Sequence, residues 1–147
     1  MYIIKTKLST VYNSGLDPAG PLFTSPIDEG RGNRLTKFDA KFVQCLHTAM
    51  GTWGTALTCG HADFYPNGGV IMPGCIGPTC SHDKAVFYYQ SSLYPTHPFR
   101  GHECFEVSLL QPPNCEYSLF GIHSEDKHGN FTLSTNVCYP YCENCSN

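Results

Sequence analysis

The chain has 147 residues, a formal net charge of −3 at pH 7 and 41% hydrophobic residues. That length suits one ordinary domain rather than two, and the hydrophobic fraction suffices for a packed core. The 9 Lys and Arg residues are scattered, which excludes nucleic acid and a strongly anionic membrane surface as recognition partners.

Residues 2–12 are rich in Ile, Thr, Val and Tyr and predict one or two strands. The opening "MYIIKTKLSTVYNSG" is too short of apolar residues before Lys5 for a secretory leader, whose apolar region runs to about 7–15 residues. No stretch approaches the ~20 apolar residues of a membrane-spanning helix. Residues 17–37 read as a long loop of Pro, Gly, Ser and charged residues, with Asp28 and Glu29 as a solvated pair. "AKFVQCLHT" at 40–48 predicts a buried strand after a helical turn, and 49–60 a glycine-threonine loop. "HADFY" at 61–65 predicts a short strand, and "PNGG" and "MPG" are turn signals.

A helix is expected after Cys80, with Ser81 as N-cap and Asp83 in the first turn. His82, Ala85, Val86, Tyr89 and Leu93 share one face at helical spacing, and Pro95 stops it. Beyond it, "CFEVSLL", "YSLFGIH" and "FTLST" are strand-like pieces between turns. There is no internal repeat and no low-complexity tract. The layout is α/β, and so few strands precede Asp17 that an exposed sheet edge is expected.

All 9 cysteines lie between Cys45 and Cys145, a density that suits an oxidising compartment and a disulfide framework. Asn130 and Asn144 head N-x-S/T glycosylation patterns, which carry meaning in a secreted chain. "CENC" at 142–145, with Cys138 nearby, raises structural zinc. A second C-x2-C at ribbon spacing is absent, and His123 and His128 lack cysteine partners at a finger spacing. A C-terminal disulfide cluster is therefore the preferred reading. Trp53, Phe64 and Tyr65 read as core or pocket wall.

Asp17, in "GLDPAGPLF", has two readings. It can form a turn before Pro18, with His82 a solvated histidine at a helix start. Alternatively, a carboxylate at a strand end can hold the Nδ1–H of a histidine whose other nitrogen takes a proton from a nucleophile. Asp17 and His82 stand in the chain order of an α/β-hydrolase acid and histidine.

Together with "GLDPAGPLF", the segments "DAKFVQCLHT", "GHADFYPNGGVIMPGC" and "CSHDKAVFYY" resemble, in order, the successive motifs of the pancreatic-lipase family. That family includes secreted triacylglycerol lipases and phospholipases A1, with insect and venom forms. The resemblance covers about residues 15–142 and leaves 1–14 as a non-matching segment. It implies a partial α/β-hydrolase fold over 15–147, the C-terminal part of the sheet with one clear helix and terminal hairpins. It also implies Asp17 as triad acid, His82 as triad histidine, a Cys75–Cys80 bond closing the lid loop, and a Cys104–Cys115 bridge. The implied chemistry is cofactor-free hydrolysis of a phospholipid or acylglycerol ester. The implied location is extracellular, with only peripheral contact to a membrane or lipoprotein surface.

The departures from the family pattern shape the expectation further. No G-x-S-x-G nucleophile elbow occurs, and Ser9 and Ser14, the serines before Asp17, lack its glycine flanks. The expectation is a truncated, inactive ester hydrolase. The alternative is a non-catalytic secreted protein of lipase descent that binds lipid or a partner. Ile76, Gly77, Pro78 and Thr79 alone separate Cys75 from Cys80, which resembles the short-lid phospholipases A1. Arg34 and Asp39 match positions of a family calcium loop, but Thr36 falls where an acidic ligand belongs, so no metal is expected. No lipid-binding β-sandwich follows "CYPYC", which again resembles the single-domain branch.

Overall fold

A computed structural model describes residues 2–5, 12–21, 23, 34–105 and 113–143. Its strands are β1 (Tyr2–Lys5), β2 (Tyr12–Leu16), β3 (Phe42–Leu46), β4 (Ala62–Pro66), β5 (Phe99–Phe105), β6 (Asn114–Phe120) and β7 (Gly129–Leu133). They form one sheet in the order β1-β2-β3-β4-β7-β5-β6. β2, β3, β4 and β7 run parallel, and β1, β5 and β6 extend the sheet antiparallel at its two ends. Helix α1 (Pro78–Ser91) packs on one face, giving an α/β fold whose sheet edges are β1 and β6.

The register explains the core. Leu16 pairs with Leu46, Leu46 with Phe64, and Phe64 with Phe131, so one apolar row crosses all the parallel strands. All four side chains are buried beside Ala85 and Tyr88 of α1. Strands covered on both faces read as continuous apolar runs, and β3 is buried at every position. On the far face Leu35, Val43 and the Cys45–Cys59 disulfide make a smaller cluster. Gly15 is small for a reason: a Cβ there would lie 2.7 Å from Leu35 and 2.9 Å from Pro18.

Gln44 is buried in the sheet yet fully engaged. Its Nε2 donates to the Gly121 carbonyl and to Ser14 Oγ, both at 2.9 Å, while its Oε1 accepts from Gly121 N at 3.1 Å. A buried amide with these partners avoids the cost of desolvation without replacement bonds. Cys104 and Cys115 are directly opposite on β5 and β6 and are bonded. Asn130 is exposed on β7, and Asn144 lies outside the described residues, as do Asp28 and Glu29.

The helix start differs from the sequence expectation. α1 begins at Pro78 with Gly77 as N-cap at φ 90°, not after Cys80 with Ser81 as cap. Proline suits the first helical turn because its missing N–H has no partner to lose there. Ser81 is instead a buried interior residue whose Oγ accepts from Met72 N at 3.0 Å. Leu93 lies beyond the helix end and is exposed, while Tyr88 fills the core. The Tyr88 hydroxyl shares a 2.9 Å hydrogen bond with Thr135.

At the opposite end of the parallel strands from their carboxyl termini, Val43 N donates to His61 Nδ1 at 3.0 Å. The ring stacks on Phe42 and lies 4.9 Å from the ring of His128. Burial, then the charges of His128 and Lys37, push the His61 pKa below its ordinary value. The unfolded chain therefore takes up this proton first as pH falls. Stability should decline as pH drops below about 6.5. Urea midpoints measured against pH should show a shallower decline in His61→Asn, whose side-chain oxygen can still accept from Val43.

Candidate active site

Asp17 follows β2 immediately and has φ 44°, a left-handed value that Asp adopts more readily than most residues. Its side chain is 0% exposed. Oδ1 accepts from the backbone N–H groups of Thr48 and Ala49, at 2.8 and 2.9 Å. Oδ2 takes the Nδ1–H of His82 at 2.6 Å. The backbone is secured as well, through Asp17 N to the Leu46 carbonyl at 2.7 Å. Burying a carboxylate is tolerable here because charged-acceptor hydrogen bonds replace its water.

The turn carrying Asp17 is laced to the loop after β3. Thr55 N donates to Pro18 O at 2.7 Å and Gly20 N to Trp53 O at 2.8 Å. Gly54 passes directly over the carboxylate, where a Cβ would fall on Oδ1 and lie 2.7 Å from Cγ and Oδ2. The acid therefore sits in a socket made by one loop, at the carboxyl ends of β2 and β3. Open α/β sheets place their ligand sites at that end of the strands.

His82 is in the second turn of α1 rather than at the helix start, because the helix begins at Pro78. The Cys75–Cys80 disulfide staples this first turn to the chain before it. Of the residues between the two cysteines, Ile76 and Gly77 alone lie outside the helix, and Ile76 is 100% exposed. Trp53 Nε1 donates to Thr79 Oγ1 at 3.2 Å, joining the β3–β4 loop to the stapled turn. Trp53 is half exposed, whereas Phe64 belongs to the core.

A second His–Asp pair, not visible from sequence spacing, lies beneath the same loop. His47 Nε2 and Asp63 Oδ1 are 2.7 Å apart and both side chains are buried. His47 Nδ1 reaches the Thr55 carbonyl at 3.3 Å, and its ring stacks on Tyr65 at 4.7 Å. Asp63 also accepts from Cys59 N at 3.0 Å and Gly60 N at 3.1 Å. Burial, with the Asp63 charge adding to it, pushes the Tyr65 phenol up to about 12. No local sequence pattern pairs them, because the contact depends on β3 and β4 lying side by side with Cys45 opposite Asp63.

Among the described residues, Cys45, Cys59 and Asp63 bring their ligand atoms within 4.8 Å of one another. The two sulfurs are bonded to each other, so the group offers no thiolate pair to a metal. Asp39 spends its Oδ2 on Thr36, accepting from the backbone N at 2.7 Å and from Oγ1 at 3.0 Å in a capping box. Cys142 is disulfide-bonded, and Cys138 is a free, exposed thiol.

The family model for lipases matches residues 7–118. The chain belongs to the pancreatic-lipase family. This lipase-family chain is 38% identical over 109 residues to pancreatic lipase-related protein 2 of Cavia porcellus, covering 69% of the chain and 24% of that relative. It is 37% identical over 145 residues to a phospholipase A1 of Vespa velutina, covering 88% of the chain and 44% of that relative. Lipase member H-A of Xenopus laevis is 38% identical over 110 residues, covering 69% and 23% respectively. The lipase-family chain thus spans less than half the length of these relatives. No described helix is long and apolar enough to cross a membrane.

Gly54 gives the site a sharp test. Gly54→Ala should destabilise the fold by about 1–3 kcal/mol, the usual cost of overpacking. Urea unfolding should report it as a lowered midpoint.

Proposed function

We propose that this chain supplies the acid and the general base of a lipase-family carboxylic ester hydrolase that acts on phospholipid or acylglycerol. The observation that carries the reading is the 2.6 Å contact between buried Asp17 and His82 Nδ1 at the carboxyl ends of the parallel strands. Asp17 fixes the imidazole tautomer and stabilises the cation that forms. His82 Nε2 takes the proton of an attacking serine hydroxyl. An acyl-enzyme then forms, and the leaving alcohol receives that proton. A water molecule, deprotonated by the same nitrogen, then releases the fatty acid.

The serine comes from sequence beyond these 147 residues, which contain no G-x-S-x-G elbow. On this reading the sheet is the C-terminal part of an α/β-hydrolase sheet, and the 147-residue chain alone does not turn over esters. The stapled turn at Cys75–Cys80 leaves two residues outside the helix, too few for an amphipathic lid. That supports a phospholipase A1-like specificity and only peripheral contact with lipid. The three disulfides between described residues support an extracellular location, where the N-x-S/T patterns headed by Asn130 and Asn144 would be candidates for glycosylation.

Intact mass of the natural protein, after reduction and deglycosylation, tests the assignment directly. A mass well above 16.3 kDa, with upstream peptides carrying G-x-S-x-G, is the expected result. A mass near that value, with a stable fold and no hydrolysis of phosphatidylcholine, would favour the non-catalytic lipid- or partner-binding alternative. In the active protein, His82→Ala and Asp17→Asn should each lower kcat by about 10³–10⁴-fold or more with little change in KM.

A further inference from the structure

We infer that His47 and Asp63 are positioning residues for the Asp17–His82 pair, acting through the two backbone N–H groups that hold the Asp17 carboxylate. The geometry runs in an unbroken series. His47 is the residue before Thr48 and Ala49, whose N–H groups donate to Asp17 Oδ1 at 2.8 and 2.9 Å. Its backbone is pinned to β4 through His47 N to Phe64 O at 2.8 Å. Its ring spans the neck of the 47–55 loop, reaching Thr55 O from Nδ1 and Asp63 from Nε2. Thr55 N in turn donates to Pro18 O, beside Asp17.

Both ring nitrogens of His47 are engaged, Nδ1 with the Thr55 carbonyl at 3.3 Å and Nε2 with the Asp63 carboxylate at 2.7 Å. Asp63 is itself held to face Nε2, because its carboxylate also accepts from Cys59 N and Gly60 N. The Cys45–Cys59 disulfide closes the same loop one step further out. Two nested closures, one covalent and one hydrogen-bonded, thus fix a short loop whose first two residues face Asp17. Those residues aim two donors at Asp17 Oδ1 while Oδ2 stays turned toward His82. Removing the inner closure lets Thr48 and Ala49 rotate, and the carboxylate then loses its fixed orientation toward His82.

The inference rests on reading Asp17 and His82 as acid and base, and its test does not use turnover. Failure of the functional reading appears in hydrolysis, whereas failure of this one appears in the spectrum. The experiment follows the His82 Nδ1–H proton by NMR in the full chain labelled with nitrogen-15 histidine, assigned through its loss in Asp17→Asn. His47→Phe keeps the ring that stacks on Tyr65 but removes both polar contacts, and Asp63→Asn removes the charge. In either folded variant, exchange of the His82 proton with water should rise about tenfold, as expected for one lost buried hydrogen bond.

A conservative His47→Gln, which retains a donor, should recover part of that protection. A folded His47→Phe chain with wild-type exchange at His82 would overturn the inference. Wild-type exchange alone also decides it if the variants do not fold. The His47 ring protons, the Thr48 and Ala49 amides and the His82 proton should open together as one unit. Amides at Thr48 and Ala49 that stay protected after the His47 ring has exchanged would show that the loop does not depend on His47.

Discussion

The buried carboxylate of Asp17 organises this molecule. Asp17 is fully removed from solvent, where an unpartnered charge would cost several kcal/mol. The fold meets that demand with donors drawn from separate parts of the chain: Thr48 and Ala49 after β3, and His82 from α1. Each donor must arrive at a fixed point, so the turn, the loop and the helix cannot be placed independently. The left-handed φ of Asp17 and the missing side chain of Gly54 belong to the same constraint. Local strain and a bare backbone are tolerated where a charged group must be approached from several sides.

The apolar row Leu16, Leu46, Phe64 and Phe131 has the complementary task. It fixes the relative heights of the parallel strands, because a slip by one residue would turn every buried side chain to the other face. Asp17 and His47 each follow a member of this row by one residue. The register of the core therefore sets which polar residues emerge together at the carboxyl ends. Packing and chemistry are in this sense consecutive positions of the same strands.

Much of this was legible in the residues themselves. The largely apolar run at 42–46, the "PNGG" turn and the motif order around Asp17 and His82 all mark their places in the fold. The helix start was not, because Ser81 and Asp83 imitate an N-terminal cap while Pro78 already occupies the first helical position. The His47–Asp63 pair was hidden for a different reason. It depends on β3 and β4 lying side by side, with Cys45 opposite Asp63, and no local pattern encodes a neighbour across a parallel sheet. Gln44 was equally silent, since an amide within an apolar run declares its partner at Gly121 only in three dimensions.

The position of β7 has a consequence for assembly. In chain order it follows β5 and β6, yet in the sheet it lies between β4 and β5. In chain order, β1 to β4 and the β5–β6 hairpin precede β7 as two pieces that no sheet pairing joins without it. The strand at 129–133 is the keystone, and the sheet becomes continuous only when that late segment arrives. Contacts of such long sequence separation form slowly, since the intervening chain must first be brought to order. The interval before it is when unpaired edges are most open to a wrong neighbour. An oxidising compartment suits this sequence of events, because Cys104 and Cys115 can secure the hairpin while the central gap awaits its last strand.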